Sequence, residues 1–380
     1  MQRGPLVEIN IACLKHNFDT IGRLTGKVPV LAVVKADAYG HGAVRIATLL
    51  EEMKVHAFSV AFNSEAVELR EAGIKKPILV FFDPPDIDEI LSYDLTPVLV
   101  NERAAGELSA LSLKRGKRVK VHVTIDTGMG RLGFLSLRDV NALREVAALK
   151  GIQVTGVMSH FSEADLLDRT FAELQLKRFL EVRKELFPLF GGCLWHMSNS
   201  AAVLSYPDAH LDMVRPGLML YGCDPFKRKN SSLLPVMTVR CKILEVRKVP
   251  TGTSVSYGRT FVTRRDSLIG VIGLGYSDGY PRALSNKGRV IVNGQVAPIV
   301  GRICMDLTMV DLTDITGLTN EYLWRPYNCI ILGKEGDVEI TADELAAYAD
   351  TISYEILTSL GRSKHKCVTN VSSAASAVTS

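Results

Sequence analysis

Short apolar runs alternate with amphipathic stretches through the first two-thirds of the chain. Val30–Val34, Ala57–Ala61, Pro77–Phe81, Thr96–Val100, Val119–Ile125, Val154–Ser159, Leu194–Met197 and Leu211–Val214 each read as a buried strand, eight in all. Helical periodicity fills the gaps. One helix opens at Ser64, with Glu65, Ala66, Glu68, Leu69 and Arg70 behind a good N-cap; others cover Arg138–Leu149 and about Leu166–Leu186. Eight strands separated by helices predict a (β/α)8 barrel, and a doubly wound open sheet would give the same alternation.

After about Val236 the texture changes. Met237–Val246, Leu268–Ile272, Arg289–Val292, Val296–Val300 and Asn328–Leu332 are β-rich and punctuated by glycine. Asn293-Gly294 between two apolar runs predicts a type I′ hairpin. One amphipathic helix, Ala342–Glu355, follows behind Thr341 as its cap. The pattern predicts a barrel over residues 10–236 and a mostly β domain over 237–367, joined by an N-terminal strand within 1–9. The small, polar tail 368–380 is expected to be disordered. No internal repeat recurs at a fixed period.

Composition narrows the partners. Hydrophobic residues are 47% of 380, enough for a sizeable core. The 45 Lys and Arg against 41 Asp and Glu leave a net charge of +4, too small to point to nucleic acid or an anionic membrane. No apolar run approaches the ~18 residues needed to span a bilayer. The stretch MQRGPLVEIN lacks the apolar run of a signal peptide, so a cytoplasmic protein is expected. The seven cysteines are scattered, odd in number and never spaced C-x-x-C. That argues against a disulfide framework or a structural metal, and no metal site is expected.

In a barrel of this kind the active site lies at the C-terminal ends of the strands. Lys35 follows the first, Asp126 and Arg131 the fifth, His160 the sixth, Asn199 and Ser200 the seventh, and Arg215 the eighth. Taken singly, each has a plain structural role. A strand-end lysine snorkels into water; Arg215 reads as an ion-pair partner, His160 as a packed histidine and Tyr257 as a packing residue. Met305 reads as core filler, and Asp306 as a turn aspartate or an ion-pair partner. Convergence changes the reading. Tyr39 and the glycines at 40 and 42 set a tight turn beside Lys35, while Ser200 and the main chain at Gly217 and Leu218 can donate to a phosphate. A lysine above a phosphate cradle points to a Schiff base with pyridoxal phosphate.

The segment VVKADAYGHGA closely resembles the cofactor-lysine signature of alanine racemases. VEINIACLKHNFDTI, DTGMGRLGF, MSHF, HMSNSAA, DMVRPGLMLYG, SVSYGRTF, GYSDGYPR, GRICMDLTMVD and TISYEILTSLG resemble the same family in the same order, from about residue 7 to 362. The resemblance implies the barrel, the cofactor and a set of roles. Lys35 would carry pyridoxal phosphate and, once freed, act as the base on one face of the substrate Cα, serving the D-amino acid. Tyr257 would be the base on the opposite face, serving the L-amino acid, contributed by the second subunit of a homodimer. Tyr39, Ser200, Gly217, Leu218 and Tyr354 match positions that hold the phosphate, with Asn199 beside them. His160 would pack against the cofactor ring. Arg215 would donate to the ring nitrogen, braced by His196. Arg131 would meet the cofactor's phenolic oxygen and the substrate carboxylate. The main-chain N–H of Met305 would reach that carboxylate from the second subunit, with Asp306 behind it.

The implied activity is an isomerase that interconverts L- and D-alanine and supplies D-alanine for peptidoglycan. One position departs from the family. Many members have a lysine that can be carbamylated seven residues before the arginine, where this chain has Thr124, which cannot form that carbamate; a water or chloride would take its place. The chain's SLGRSKHKCV also lacks the proline-containing arginine pair common at the family's end. Competing readings are a racemase of broader range that also takes serine, a D-amino-acid aldolase or decarboxylase on a related barrel, and a non-catalytic protein that only binds the cofactor.

Overall fold

The computed structural model describes residues 4–228, 232–326 and 328–370. Strand β1 (Leu6–Asn10) leads into the helix Ile11–Leu24, where the Asn10 side chain accepts the N–H groups of Ala12 and Cys13 at 3.0 and 3.3 Å. Seven parallel strands then pair in chain order: β2 (Leu31–Val33), β3 (Ala57–Val60), β4 (Ile78–Val80), β5 (Thr96–Leu99), β6 (Val119–Thr124), β7 (Ile152–Met158) and β8 (Leu194–His196).

The eighth run expected as a strand, Leu211–Val214, contracts to one parallel bridge, Val214 to Val30. Leu211 sits at φ 50 and breaks the extended chain. The seam is still hydrogen-bonded: Leu31 N–H donates to Val214 O (2.9 Å), Val33 N–H to Pro216 O (3.1 Å) and Val214 N–H to Pro29 O (2.9 Å). That seam makes the sheet a barrel rather than a doubly wound open sheet.

Element ends differ from the sequence reading for local reasons. The helix expected at Ser64 spans Asn63–Glu71, and the Glu65 carboxylate, not Ser64, takes the N–H groups at its start. The helix expected over 166–186 spans Thr170–Phe190, begun where Asp168 accepts the Thr170 N–H at 2.9 Å. Arg138–Leu149 becomes a 3₁₀ turn, Ser136–Asp139, followed by the helix Val140–Ala148.

The second domain contains β9 (Met237–Cys241), β10 (Ile243–Val249), β11 (Ser254–Val255), β12 (Phe261–Val262), β13 (Ser267–Ile272), β14 (Arg289–Val292), β15 (Gln295–Pro298), β16 (Thr308–Asp311), β17 (Cys329–Glu335), β18 (Val338–Ile340) and β19 (His365–Thr369). Its larger sheet runs β15-β14-β17-β9-β1-β19, so the N-terminal strand lies inside this domain, antiparallel to β9 and parallel to β19. A second sheet orders β10-β13-β16. Asn293 and Gly294 sit at φ 51 and 68 between paired Val292 and Gln295, the geometry of the expected hairpin turn. β19 continues to Thr369, two residues into the expected tail, while 371–380 lie outside the described residues.

The single helix expected over Ala342–Glu355 is two, Ala342–Ala349 and Ser353–Leu360. Asp350 takes a left-handed φ of 55, and Thr351 N–H closes the first helix on Ala346 O at 2.9 Å. The break gives Tyr354 a helix of its own.

Candidate active site

The C-terminal ends of the barrel strands open on a cavity of about 520 Å³. Lys35, Tyr39, Arg131, His160, Asn199, Ser200, Arg215, Gly217, Leu218 and Tyr354 all line it. Lys35 directly follows the Val34 that ends the first barrel segment, and the chain then leaves the barrel left-handed. Ala36, Asp37, Ala38 and Tyr39 have φ between 52 and 55. Left-handed residues other than glycine cost roughly 1–2 kcal/mol each, so other contacts must hold the turn.

Several do. Glu65 accepts the Ala36 N–H at 2.6 Å. Asp37 accepts the Ala43 N–H at 2.7 Å and pairs with Lys366 of β19. Ala38 N–H donates to Val34 O at 2.8 Å. Gly40 packs backbone to backbone on Gly361, and a Cβ on either would overlap the other's main chain. The turn thereby sets the Tyr39 ring 4.9 Å from that of Tyr221 and 5.7 Å from that of Tyr354. Burial pushes the Tyr354 hydroxyl up to about 12 and that of Tyr39 higher still, so both are donors at neutral pH.

Opposite this turn lies a cradle of donors. Ser200 Oγ accepts the N–H groups of Gly217 (3.0 Å) and Met219 (3.2 Å). A Cβ at Gly217 would overlap the Tyr39 hydroxyl, so only glycine leaves this corner open. Asn199 Oδ1 accepts the Ala202 N–H at 3.0 Å and caps the turn of helix that begins at Ser200. With those N–H groups donating to Ser200, its hydroxyl hydrogen is left to donate, and with the Tyr39 and Tyr354 hydroxyls it suits a phosphate.

Across the mouth, Arg215 is 3% exposed and bonded through both terminal nitrogens. Its Nη2 reaches Ser159 O (2.6 Å), Met197 O (3.2 Å) and His160 Nδ1 (3.3 Å), and its Nη1 reaches His196 Nδ1 (2.9 Å). His196 Nε2 lies 2.9 Å from His122 Nδ1. A guanidinium only donates. His196 Nδ1 must therefore accept, its proton sits on Nε2, and His122 Nδ1 takes that bond. Burial lowers Arg215 to about 9, still protonated at neutral pH. Burial first and Arg215 second hold His122 and His160 down at about 3, and His196 well below its ordinary value, so all three rings are neutral. Sequence reasoning missed His122; its inward place in the alternating VHVT of β6 was the available signal.

Lys35 is pulled below the usual lysine range by burial, then by Arg131, against the opposing pull of Glu65. Arg131 is exposed, and among the described residues its guanidinium has a ring as neighbour rather than an ion-pair partner. That ring is Phe82, which lies 5.5 Å from both Arg131 Cζ and Lys35 Nζ. Phe82 too was missed, although it follows β4 at the same end of the barrel. Thr124 is buried and lines the same cavity.

Three expected residues are not brought here. Tyr257 and Met305, 69% and 54% exposed, and Asp306 do not line the cavity. They neighbour one another instead. Ser256 Oγ lies 3.5 Å from Cys304 Sγ, and Ser277 Oγ bonds Met305 O (2.8 Å) and Asp306 Oδ1 (3.1 Å). His196 acts behind Arg215 rather than at the cavity wall. Among the described residues, no group of three or more His, Cys, Asp or Glu could hold a metal ion, and no helix is long and apolar enough to cross a membrane.

A barrel with a depressed lysine after its first strand, a donor cradle for a phosphate beside it and a buried arginine across the mouth defines a lysine-dependent cofactor enzyme of the (β/α)8 class. Comparison with known proteins narrows the class. Residues 9–225 match the family model "Alanine racemase, N-terminal domain" and 236–368 match "Alanine racemase, C-terminal domain". An alanine racemase of Thermodesulfovibrio yellowstonii is 46% identical over 97% of this chain and 99% of its own. The alanine racemase of Clostridium difficile 630 superposes with a TM-score of 0.88 at 32% identity, over 97% of each chain. A Bartonella henselae alanine racemase, solved with covalently bound pyridoxal phosphate, gives 0.86 at 28% identity over 97% of this chain and 100% of that one. The chain belongs to the alanine racemase family.

Proposed function

We propose that this protein interconverts L- and D-alanine, with pyridoxal phosphate held on Lys35 and with Lys35 and Tyr257 as bases on opposite faces of the substrate Cα. The observation that carries the reading is the meeting of Lys35, the glycine-floored cradle and Arg215 in one cavity. The residues fit the cofactor. Tyr39, Ser200, Gly217, Leu218 and Tyr354 would hold its phosphate, Asn199 would brace that corner, and His160 and Arg215 would meet its ring. When bound, the cofactor supplies the electron sink that makes an amino-acid Cα proton removable at neutral pH.

The remaining steps belong to the chain's own side chains. The depressed Lys35 amine is neutral more often than an ordinary lysine, so it can accept a proton. Arg131 offers a cation to the substrate carboxylate. Arg215, protonated at neutral pH, would donate to the cofactor ring nitrogen and would have no proton to give up to it.

Tyr257 and Met305 complete the site in a homodimer. Their exposure on a patch away from their own cavity supports this, because a second copy can offer the same patch to this barrel mouth. Met305 N–H would then meet the substrate carboxylate, with Asp306 behind it, while the exposed Tyr257 phenol would face Cα opposite Lys35. The product is D-alanine for cell-wall peptidoglycan. The seven thiols, all free, suit a reducing cytoplasm.

The test is an assay of the cofactor-loaded protein with L-alanine by chiral chromatography, with L-serine alongside. D-alanine should form, and faster than D-serine. Lys35→Ala and Tyr257→Phe chains, each inactive alone, should regain activity when mixed, because one hybrid site holds both bases. No recovery in hybrids shown to form would rule out the shared site.

A further inference from the structure

The left-handed turn beyond Lys35 hangs at its entrance on one carboxylate. Glu65 Oε1 accepts the N–H of Ala36 at 2.6 Å, while Oε2 accepts those of Ala61 (2.7 Å) and Phe62 (3.2 Å). Capping its own helix requires only the bond to Phe62. The bond to Ala36 reaches 29 residues back, to the end of the neighbouring barrel strand. Among the described residues, Glu65 is the acceptor the Ala36 N–H has.

We propose that Glu65 is a positioning residue for Lys35: its carboxylate, shared between the ends of β2 and β3, pins the first residue of the left-handed turn and so fixes where the lysine side chain leaves the barrel. The inference rests on the reading of Lys35 as the cofactor lysine.

The geometric part follows from the backbone. Four successive left-handed residues are costly, and Ala36 is the one joined to Lys35. Without that anchor the first residue of the turn is freed and Lys35 loses a single exit direction, while the Asp37–Lys366 pair and the Gly40–Gly361 contact still hold the far end. Charge adds a second part. Arg131 and Arg215 bring positive charge to the cavity, and His160 is neutral. Asp126 is committed to the N–H groups of Gly128 and Gly130, and Asp37 to Lys366. Asp165, Asp224 and Asp343 also line the cavity; Arg131 pulls the Lys35 amine down and Glu65 opposes it. Loss of the Glu65 charge therefore lowers the lysine further.

Three measurements test this. Borohydride reduction of the cofactor-loaded protein, read by peptide mass spectrometry, first identifies the lysine. The pH dependence of Lys35 labelling by an amine-reactive reagent, in cofactor-free protein, then gives its titration midpoint. Hydrogen exchange of the peptide spanning 35–43 reports the turn. In Glu65→Gln the midpoint should fall by on the order of half a pH unit or more, and exchange of that peptide should rise about tenfold. Glu65→Asp keeps the charge and shortens the reach, so exchange should rise while the midpoint stays near that of the unaltered protein. Reduction onto another lysine would overturn the function reading and this inference with it. Reduction onto Lys35, with midpoint and exchange unchanged in Glu65→Gln, would overturn this inference alone.

Discussion

Arg215 Nη1 donates to His196 Nδ1 across 2.9 Å, and this one bond sets the protons of two buried rings. Because the guanidinium can only donate, His196 carries its proton on Nε2 and passes a hydrogen bond to His122. A second proton on either ring would face a cation in a dry interior. Arg215 is thus held in register by neutral imidazoles.

Neutral buried histidines make stability depend on pH. Burial, above all, lowers His41 to about 4, His122 and His160 to about 3, and His196 well below its ordinary value. Unfolded, each titrates near ~6.5. Below that pH the unfolded chain binds protons the folded chain refuses. The stabilisation is therefore complete above about 6.5 and is lost as pH falls toward the folded values, at up to about 1.4 kcal/mol per pH unit for each ring. Urea midpoints of the cofactor-free protein should drop steeply between pH 6.5 and 4.5. A flat profile across that window would mean that these rings are charged in the folded state.

Phe82 lies beneath two cations, 5.5 Å from each. A cation over an aromatic face gains about 0.5–2 kcal/mol. Phe82→Leu keeps the apolar bulk and removes that face, so Arg131 should meet substrate less well oriented. KM for alanine should rise about two- to tenfold with a smaller change in kcat, and Phe82→Tyr should restore it. Equal damage in the leucine and tyrosine variants would show that ring shape, not the cation contact, matters there.

Gly217 is the floor of the cradle, and any Cβ there overlaps the Tyr39 hydroxyl. Overpacking of this kind costs about 1–3 kcal/mol, here charged against the bound phosphate. Gly217→Ala should fold and bind pyridoxal phosphate on the order of tenfold or more weakly in a fluorescence titration. Unchanged affinity would place the phosphate elsewhere.

Most of the barrel mouth was legible because strand ends are legible. A buried apolar run followed by Lys35, Arg131, His160 or Arg215 puts each at the same end of a parallel sheet. What escaped was set by tertiary contacts. Ala36, Asp37, Ala38 and Tyr39 carry no glycine, and nothing local marks them as left-handed; Glu65, Lys366 and the Gly40–Gly361 contact override their preference. Glu65 looked like an ordinary first-turn acid. The Ala342–Glu355 periodicity runs through Asp350 without a glycine or proline, so the break that separates Tyr354 left no mark. The resemblance supplied roles for Tyr257 and Met305 that one chain's geometry does not bring to its own cavity.

Tyr257 offers the sharpest test of a two-base reaction. The phenol is exposed in one chain, and removing its oxygen leaves the ring, so Tyr257→Phe should fold and take up cofactor normally. Racemisation in both directions should nevertheless collapse, because each direction needs one base to remove a proton and the other to return one. A loss of ~10²-fold or more is the scale for a positioned general base. Isotope exchange in heavy water separates the faces. With Lys35 intact, the variant should still exchange the Cα proton of D-alanine, with retention. Exchange from L-alanine, whose proton points to the missing phenol, should fall much further. If the variant instead exchanged both enantiomers equally fast, a group other than Tyr257 would serve the second face.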